Sequence, residues 1–419
     1  MRQWIAFGSC VVGFAGALAP AAAAEELYIS FPNLSEIRKF DTATGVLEPW
    51  ADNVGVPTYG EWGPDDRLYI ADALRALIWA IEPDGTKHVV SSGGLLDYPL
   101  SVCVHPTSGE LYVTDFGLEH IVAIDPTSGA QRVFCDNSLG LFMVPGGIHF
   151  DPAGNLWMTD HGTHDIVVID PAGNPIEFLD GLANGLEVPA GIEVDRSGNA
   201  FVATYEKNKL VRIRSDTGEV IDYCTDHNLK SPNDVAFGAD GSVYTTTAWS
   251  CALIKIDVSG AATVLAQDYA LGEWLGVAPR RTAPHDGTMT LYGAGTPGSG
   301  GFVPRLRGIL TPDLGTMCAF EIDSALGGAG GYLIGGLAAG NQPKWGGTLL
   351  VSLSVHFDLY PIAHAGSGAG NGTLFVEIEI PADDPALAGL ATYWQDLVFD
   401  KGAPKKIAMS NGLEMVLGQ

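Results

Sequence analysis

Positive charge is the scarcest thing in this sequence. Its 419 residues hold 22 Lys and Arg against 49 Asp and Glu, a formal net charge of −27. A surface with that balance repels polyanions, which argues against nucleic acid and anionic lipid as partners. Cysteine is scarce too, with six residues, no CxxC pair and no regular spacing. That argues against a disulfide framework and the usual thiolate zinc sites. Beyond the N-terminal segment no apolar run reaches the roughly 20 residues that a membrane-spanning helix needs. The sequence also lacks GxSxG, HExxH, P-loop and dinucleotide-binding fingerprints, so the enzyme classes they mark are set aside.

Turn-forming residues, by contrast, are abundant: 54 Gly and 25 Pro. Such a supply predicts many short strands rather than long helices. The first residues predict no strand. Arg2 precedes an apolar stretch from Trp4 to Leu18, and Ala22-Ala23-Ala24 offers a small-residue cleavage site before Glu25. This is the pattern of a secretory leader over residues 1–24, and it places the mature protein outside the cytoplasm: secreted, periplasmic or at the cell surface. Cys103, Cys135, Cys224, Cys251 and Cys318 remain after cleavage and are expected mostly as small buried hydrophobes.

One strand then recurs. Glu26-Leu-Tyr-Ile-Ser-Phe31, Arg67-Leu-Tyr-Ile-Ala-Asp72, Glu110-Leu-Tyr-Val-Thr-Asp115 and Asn155-Leu-Trp-Met-Thr-Asp160 are versions of it. So are Asn199-Ala-Phe-Val-Ala-Thr204 and Ser242-Val-Tyr-Thr-Thr-Thr247. Their last residues are 41, 43, 45, 44 and 43 positions apart. Most copies follow a strand opening on proline, as in Pro99-Leu-Ser-Val102, Pro145-Gly-Gly-Ile148, Pro189-Ala-Gly-Ile192 and Pro232-Asn-Asp-Val235. A period near 43 residues with about four strands per unit is the size of one β-propeller blade. The mature chain begins on a second strand with no inner strand before it. Leu271-Gly-Glu-Trp-Leu-Gly-Val-Ala278 reads as an inner strand with no second strand after it. The two complete one blade, which predicts a closed six-bladed propeller over residues 25–281 and removes an open edge.

These units resemble NHL repeats, of the superfamily that includes regucalcin/gluconolactonase-type hydrolases and virginiamycin B lyase. The fold hosts unrelated functions. From residue 282 the character changes: 282–301 is Gly-rich and expected as a flexible linker, and 302–419 as a β-sandwich-like domain. Runs such as Leu374-Phe-Val-Glu-Ile-Glu-Ile380 support the latter, while 385–395 is a candidate helical turn. Pro385-Ala-Leu-Ala-Gly-Leu-Ala-Thr-Tyr-Trp-Gln395 with Ser410-Asn-Gly-Leu-Glu-Met-Val416 is similar to a recurrent C-terminal β domain of exported bacterial proteins.

In a propeller, the loops into the inner strands and those between second and third strands meet on one face around a central channel, where sites concentrate. The Asp160 loop brings His161 and His164, a candidate metal pair or general base near neutral pH. The recurrence of the anchor aspartate at 72, 115 and 160 reads instead as a turn cap. By resemblance to the gluconolactonase group, Ser231-Pro-Asn-Asp-Val235 makes Asn233 and Asp234 candidate ligands of a divalent cation, calcium or magnesium, with Glu273 a third. Glu61, His149 and Glu193 occupy equivalent inner-strand positions and form a candidate acid/base set, or a structural one between blades. Two readings follow. One is a module that binds a small molecule, glycan or protein on its loop-rich face. The other is a metal-dependent hydrolase or a lyase.

Overall fold

The computed structural model describes residues 25–418 except 139, 196–197, 216, 239–240, 258–259, 281–287, 311, 313–316, 355–356, 381–386 and 388. The expected leader lies outside the described residues. The chain divides into two compact units, one of Ala23–Gly238 with Ser242–Thr282, the other containing Ala283–Gln419.

The first unit is built from six four-stranded antiparallel sheets. Five run in sequence order through residues 57–92, 99–136, 145–179, 189–224 and 232–267, and are called blades 2 to 6. Blade 1 joins both ends of the unit: Glu26–Phe31, Glu36–Asp41 and Val46–Ala51 are completed by Val277–Arg280, which pairs with Glu26–Phe31. This is the closing strand read from the sequence.

Alternating side chains explain why the sheets stack. Second and third strands are buried on both sides, and one hydrophobic cluster fills each gap between neighbouring blades. Cys103, Tyr112 and Ile121 of blade 3 meet Ile148, Phe150 and Met158 of blade 4. Tyr244 and Leu253 of blade 6 meet Leu27, Phe31 and Trp274 of blade 1 in the same way. The six interfaces therefore run around the unit and return to the start.

Each inner strand of blades 2 to 6 opens on proline and then slips register by a bulge, as at Gly146-Gly147 opposite Thr159. A bulge leaves a backbone N–H without its ladder partner, and a buried N–H must find another. In blades 1, 3 and 4 that partner is a hydroxyl on the second strand. Thr159 Oγ1 accepts from Gly147 N at 2.8 Å and donates to Ala190 O of the next blade at 2.6 Å. Thr114 does the same between Ser101 N and Gly146 O, and Ser30 between Gly276 N and Thr58 O. Thr246 donates to Leu275 O. The equivalent residues Ala71 and Ala203 lack the hydroxyl. Thr159→Val keeps the shape and strands both partners, so it is expected to cost about 2–3 kcal/mol. An unchanged urea midpoint would contradict this role.

In the second unit a five-stranded sheet (Thr288–Tyr292, Ile407–Val416, Ala391–Phe399, Gly330–Gly336, Phe357–Ala363) and a three-stranded sheet (Arg305–Leu310, Met317–Gly327, Gly368–Glu379) share one core. Leu306, Phe320, Ile322 and Val376 meet Leu333, Trp394, Leu413 and Met415. That is the expected sandwich-like packing. Of the expected linker, residues 282–287 lie outside the described residues, and 288–301 are not a free joint. Thr288–Tyr292 pairs with Ile407–Val416, and a Cβ at Gly295 would lie 2.4 Å from Val303 and 2.5 Å from Met409 O. The glycines there allow close packing rather than looseness. Of the candidate helical turn at 385–395, residues 391–395 belong instead to strand Ala391–Phe399, Leu390 N donates to Leu387 O at 2.9 Å in a turn, and 385, 386 and 388 lie outside the described residues.

Candidate functional site: the loop-rich face

The loops of this face are shaped by side chains that cap backbone. Asp160 is fully buried and accepts from Met143 N and Val144 N of the loop ahead of its own inner strand, and from Gly162 N and Thr163 N of its own turn. Asp115 caps Asp97 N, Tyr98 N and Leu118 N, and Asp72 caps Val56 N. The recurring aspartate is thus a loop organiser, as the turn-cap reading expected. A second recurrence appears only in the backbone. Ser35, Ala76, Glu119, His164, Asn208 and Cys251 hold left-handed conformations with φ between 47° and 69° at matching turn positions.

His164 is one of these turn residues, and its Nδ1 accepts from Val188 N at 3.0 Å, as Asn208 Oδ1 does from Ser231 N in the next blade. His161 points elsewhere. Its Nε2 is buried without a partner, and a Cβ at Gly146 would come within 2.4 Å of it. Burial lowers the His161 pKa to about 4, with the charge of Asp160 opposing the shift, so the ring is neutral at pH 7.

Asn233 and Asp234 are buried at the start of the blade 6 inner strand. Asn233 Nδ2 donates to Trp274 O at 2.9 Å, while Asp234 accepts from Val235 N and Val277 N, each at 2.9 Å. Both residues therefore tie blade 6 to the closing strand. Burial pushes the Asp234 carboxyl up to about 8, the two N–H bonds hold it back, and the charge of Glu193 raises it further. Tyr59 of blade 2 is raised well above its usual value by burial and then by the charges of Asp234 and Glu273. Glu273 is half-buried in the segment leading to the closing strand.

Glu61, His149 and Glu193 fall on the inner strands of blades 2, 4 and 5. Glu61 Oε2 accepts from Val104 N of the next blade at 2.9 Å. His149 Nδ1 lies 3.3 Å from Val194 N and 2.8 Å from Phe150 O, and its Nε2 is 3.5 Å from Glu193 Oε1. This arrangement stitches inner strands together, which is the structural alternative for the set.

A calcium ion takes six to eight oxygens, usually including several carboxylates. The mouth offers Asp234 with both oxygens on backbone N–H groups, and Gly146, Gly147, Ala190 and Gly191 bring no donor side chains. Among the described residues no three His, Cys, Asp or Glu side chains converge as metal ligands. The residues present do not fit a divalent cation.

One property of this face was missed in the sequence. Leu34, Leu74, Phe116, Leu118 and Trp249, in loops between second and third strands, are all exposed. Met143, Leu182 and Tyr269, in loops leading into inner strands, are exposed too. Trp249 is 74% exposed, Leu74 69% and Tyr269 66%. The unit's other exposed large apolar residues, such as Val133 and Val264, lie on outer strands, so among the described residues the loops of the opposite face expose none. Trp249 Nε1 donates to the Tyr205 hydroxyl at 3.2 Å, and Tyr98 meets Phe116 edge-on with centroids 5.7 Å apart. Loop residues have no period, so nothing in the sequence pattern flags them.

No family model and no curated protein matches the chain. Solved structures do. A chain of a nidogen/laminin complex is 16% identical with a TM-score of 0.54, over 62% of this chain and all of that one. A protein of unknown function from Bacteroides caccae is 12% identical with a TM-score of 0.50, again over 62% of this chain and all of the other. Virginiamycin B lyase from Staphylococcus aureus is 16% identical with a TM-score of 0.47, over 60% and 84%. Likeness at this level of identity extends to the fold alone, and that fold is a β-propeller.

Proposed function

We propose that the protein is a docking module that works outside the cytoplasm and engages a partner through the loop-rich face of its propeller. The observation that carries this is that, among the described residues, the unit's exposed large apolar loop residues all lie on that one face. Soluble monomers rarely leave such residues gathered together unless something covers them, and aromatic anchors dominate binding energy where partners meet. Export rests on the leader pattern of residues 1–24. A chain of similar fold occurs in a complex of two proteins, nidogen and laminin, which is in keeping with a docking role.

The test is selection of a displayed random-peptide library on the immobilised full chain. Selected peptides are expected to lose at least tenfold in affinity, about 1.4 kcal/mol, on a Trp249→Ser, Leu74→Ser variant. They are expected to keep their affinity on an outer-strand control, Val133→Ser with Val264→Ser. Peptides indifferent to the loop variant would overturn the proposal.

A further inference from the structure

The face is acidic as well as apolar. Its loops expose Asp97, Glu119, Asp180, Glu206 and Asp268 against Arg75, Lys207 and Lys230, and Lys207 is engaged by Glu187. The channel mouth sharpens this imbalance. The six segments that open the inner strands, residues 57–61, 99–103, 145–149, 189–193, 232–236 and 273–277, contain no Lys or Arg, yet they bring Glu61, Glu193, Asp234 and Glu273.

Acidic side chains alone do not make a site, but polar groups without protein partners stand beside these. Tyr59 is only 6% exposed, and its hydroxyl has no hydrogen-bond partner among the described residues. A Cβ at Gly276 would come 3.3 Å from Tyr59 Cα, and Val277 N donates to Asp234, so Tyr59 and Asp234 both lie against the segment that carries Glu273. His161 Nε2, over Gly146, is buried without a partner among the described residues. On the loops of blades 5 and 6 the Tyr205 hydroxyl accepts from Trp249, whose ring is largely open to solvent. Carboxylates below, a hydroxyl and an imidazole with unused capacity, and aromatic faces at the rim together form the chemistry that recognises an organic cation.

We propose that the channel mouth seats a cationic side chain, lysine or arginine, presented by the polypeptide that docks on the apolar loops. The inference rests on the docking reading above and names the partner's chemistry. Glu273 supplies the counter-charge, the Tyr59 hydroxyl accepts an N–H, and the rings of Tyr205 and Trp249 cover the apolar stem. The chain's net charge of −27 draws such a partner in over long range.

The experiment uses the full chain and two sets of probes. The first is agmatine against the neutral analogue N-(4-hydroxybutyl)urea, followed by calorimetry. The second is the library-selected peptides, each compared with versions in which arginine is replaced by citrulline or lysine by norleucine. Agmatine is expected to bind and the neutral analogue not to. Glu273→Gln is expected to weaken agmatine and the parent peptides at least tenfold, whereas Asp180→Asn, an exposed loop acid, leaves both unchanged. Tyr59→Phe gives an independent, smaller loss, readable even if one variant folds poorly. Agmatine that fails to bind, or binds equally to Glu273→Gln, overturns the cation seat. Peptides that need Trp249 and Leu74 but ignore Glu273→Gln overturn it while leaving the docking face standing. Agmatine binding without any peptide on the apolar loops overturns the docking face and, with it, the polypeptide as source of the cation.

Discussion

A chain of residues 25–268 is expected to aggregate or remain unfolded, whereas residues 25–281 melt cooperatively. The segment between these ends carries the strand Val277–Arg280, whose loss exposes the whole edge of Glu26–Phe31. It also carries Trp274, which is fully buried and meets the Phe31 ring edge-on with centroids 5.1 Å apart. Removing a buried Trp side chain alone costs about 3–5 kcal/mol. The polar losses add to this. Asp234 loses the N–H of Val277, Asn233 loses Trp274 O, Ser30 loses Gly276 N, and Asp66 loses the two-pronged contact from Arg280. A buried carboxylate left short of donors is destabilising in its own right. Light scattering with thermal melts of the two chains decides the matter. A soluble, cooperatively melting 25–268 chain would mean that blade 1 does not need its inner strand.

The second large effect is expected in the C-terminal unit, where His364 and Asp396 form a pair with both side chains fully buried. Nε2 lies 3.0 Å from Asp396 Oδ2, Nδ1 lies 3.2 Å from Ala329 O, and Asp396 Oδ1 has no partner. For His364 burial acts to lower the pKa, but the Asp396 hydrogen bond and charge outweigh it and the net shift is upward. Burial raises Asp396, with His364 opposing. Both shifts have the same sign: the folded state holds more protons than the unfolded chain, for Asp396 above pH about 3.9 and for His364 above about 6.5, up to each folded-state pKa. The His364 contribution is therefore fully present below pH about 6.5 and is lost as pH rises through its folded-state pKa, by up to about 1.4 kcal/mol per pH unit. His364→Leu leaves the carboxylate alone in the core and is expected to cost about 3–5 kcal/mol, while His364→Leu with Asp396→Leu recovers much of that loss. Denaturant melts between pH 6 and 9 read both effects. A stability that rises with pH over this range, or a double variant worse than the single one, would contradict the assignment.

The fold was legible because it repeats. Glu26–Phe31 and five later copies of one strand set the blade length, and an unmatched strand at each end of the ring gave the closure. The interblade hydroxyls were also written in the sequence, as Ser30, Thr114, Thr159 and Thr246 at one repeat position. Their use became plain only when the bulges showed which N–H groups needed them. Segment 282–301 misled because glycine marks close packing as readily as flexibility, and composition does not separate the two.

Legibility was poorer at the site for three physical reasons. Side chains that cap backbone, such as Asp160, His164 and Asp234, have the same identities as catalytic groups, and only their hydrogen-bond partners tell them apart. The direction of Glu61 and His149 depends on the tilt of the neighbouring inner strand, which no local pattern encodes. Exposure of Trp249, Leu74 and Tyr269 is a property of loops, where alternation gives no guide to inside and outside. The cysteines were simpler: all five described ones are buried and none forms a disulfide among the described residues.

Hydrogen-exchange mass spectrometry of the full chain, with and without the tightest library-selected peptide, tests the central claim most directly. The docking account predicts added protection in the loops around residues 72–76, 115–119, 160–165, 204–208 and 248–251 and little change elsewhere. Protection confined to the outer strands or to the C-terminal unit would place the docking surface elsewhere and contradict the account.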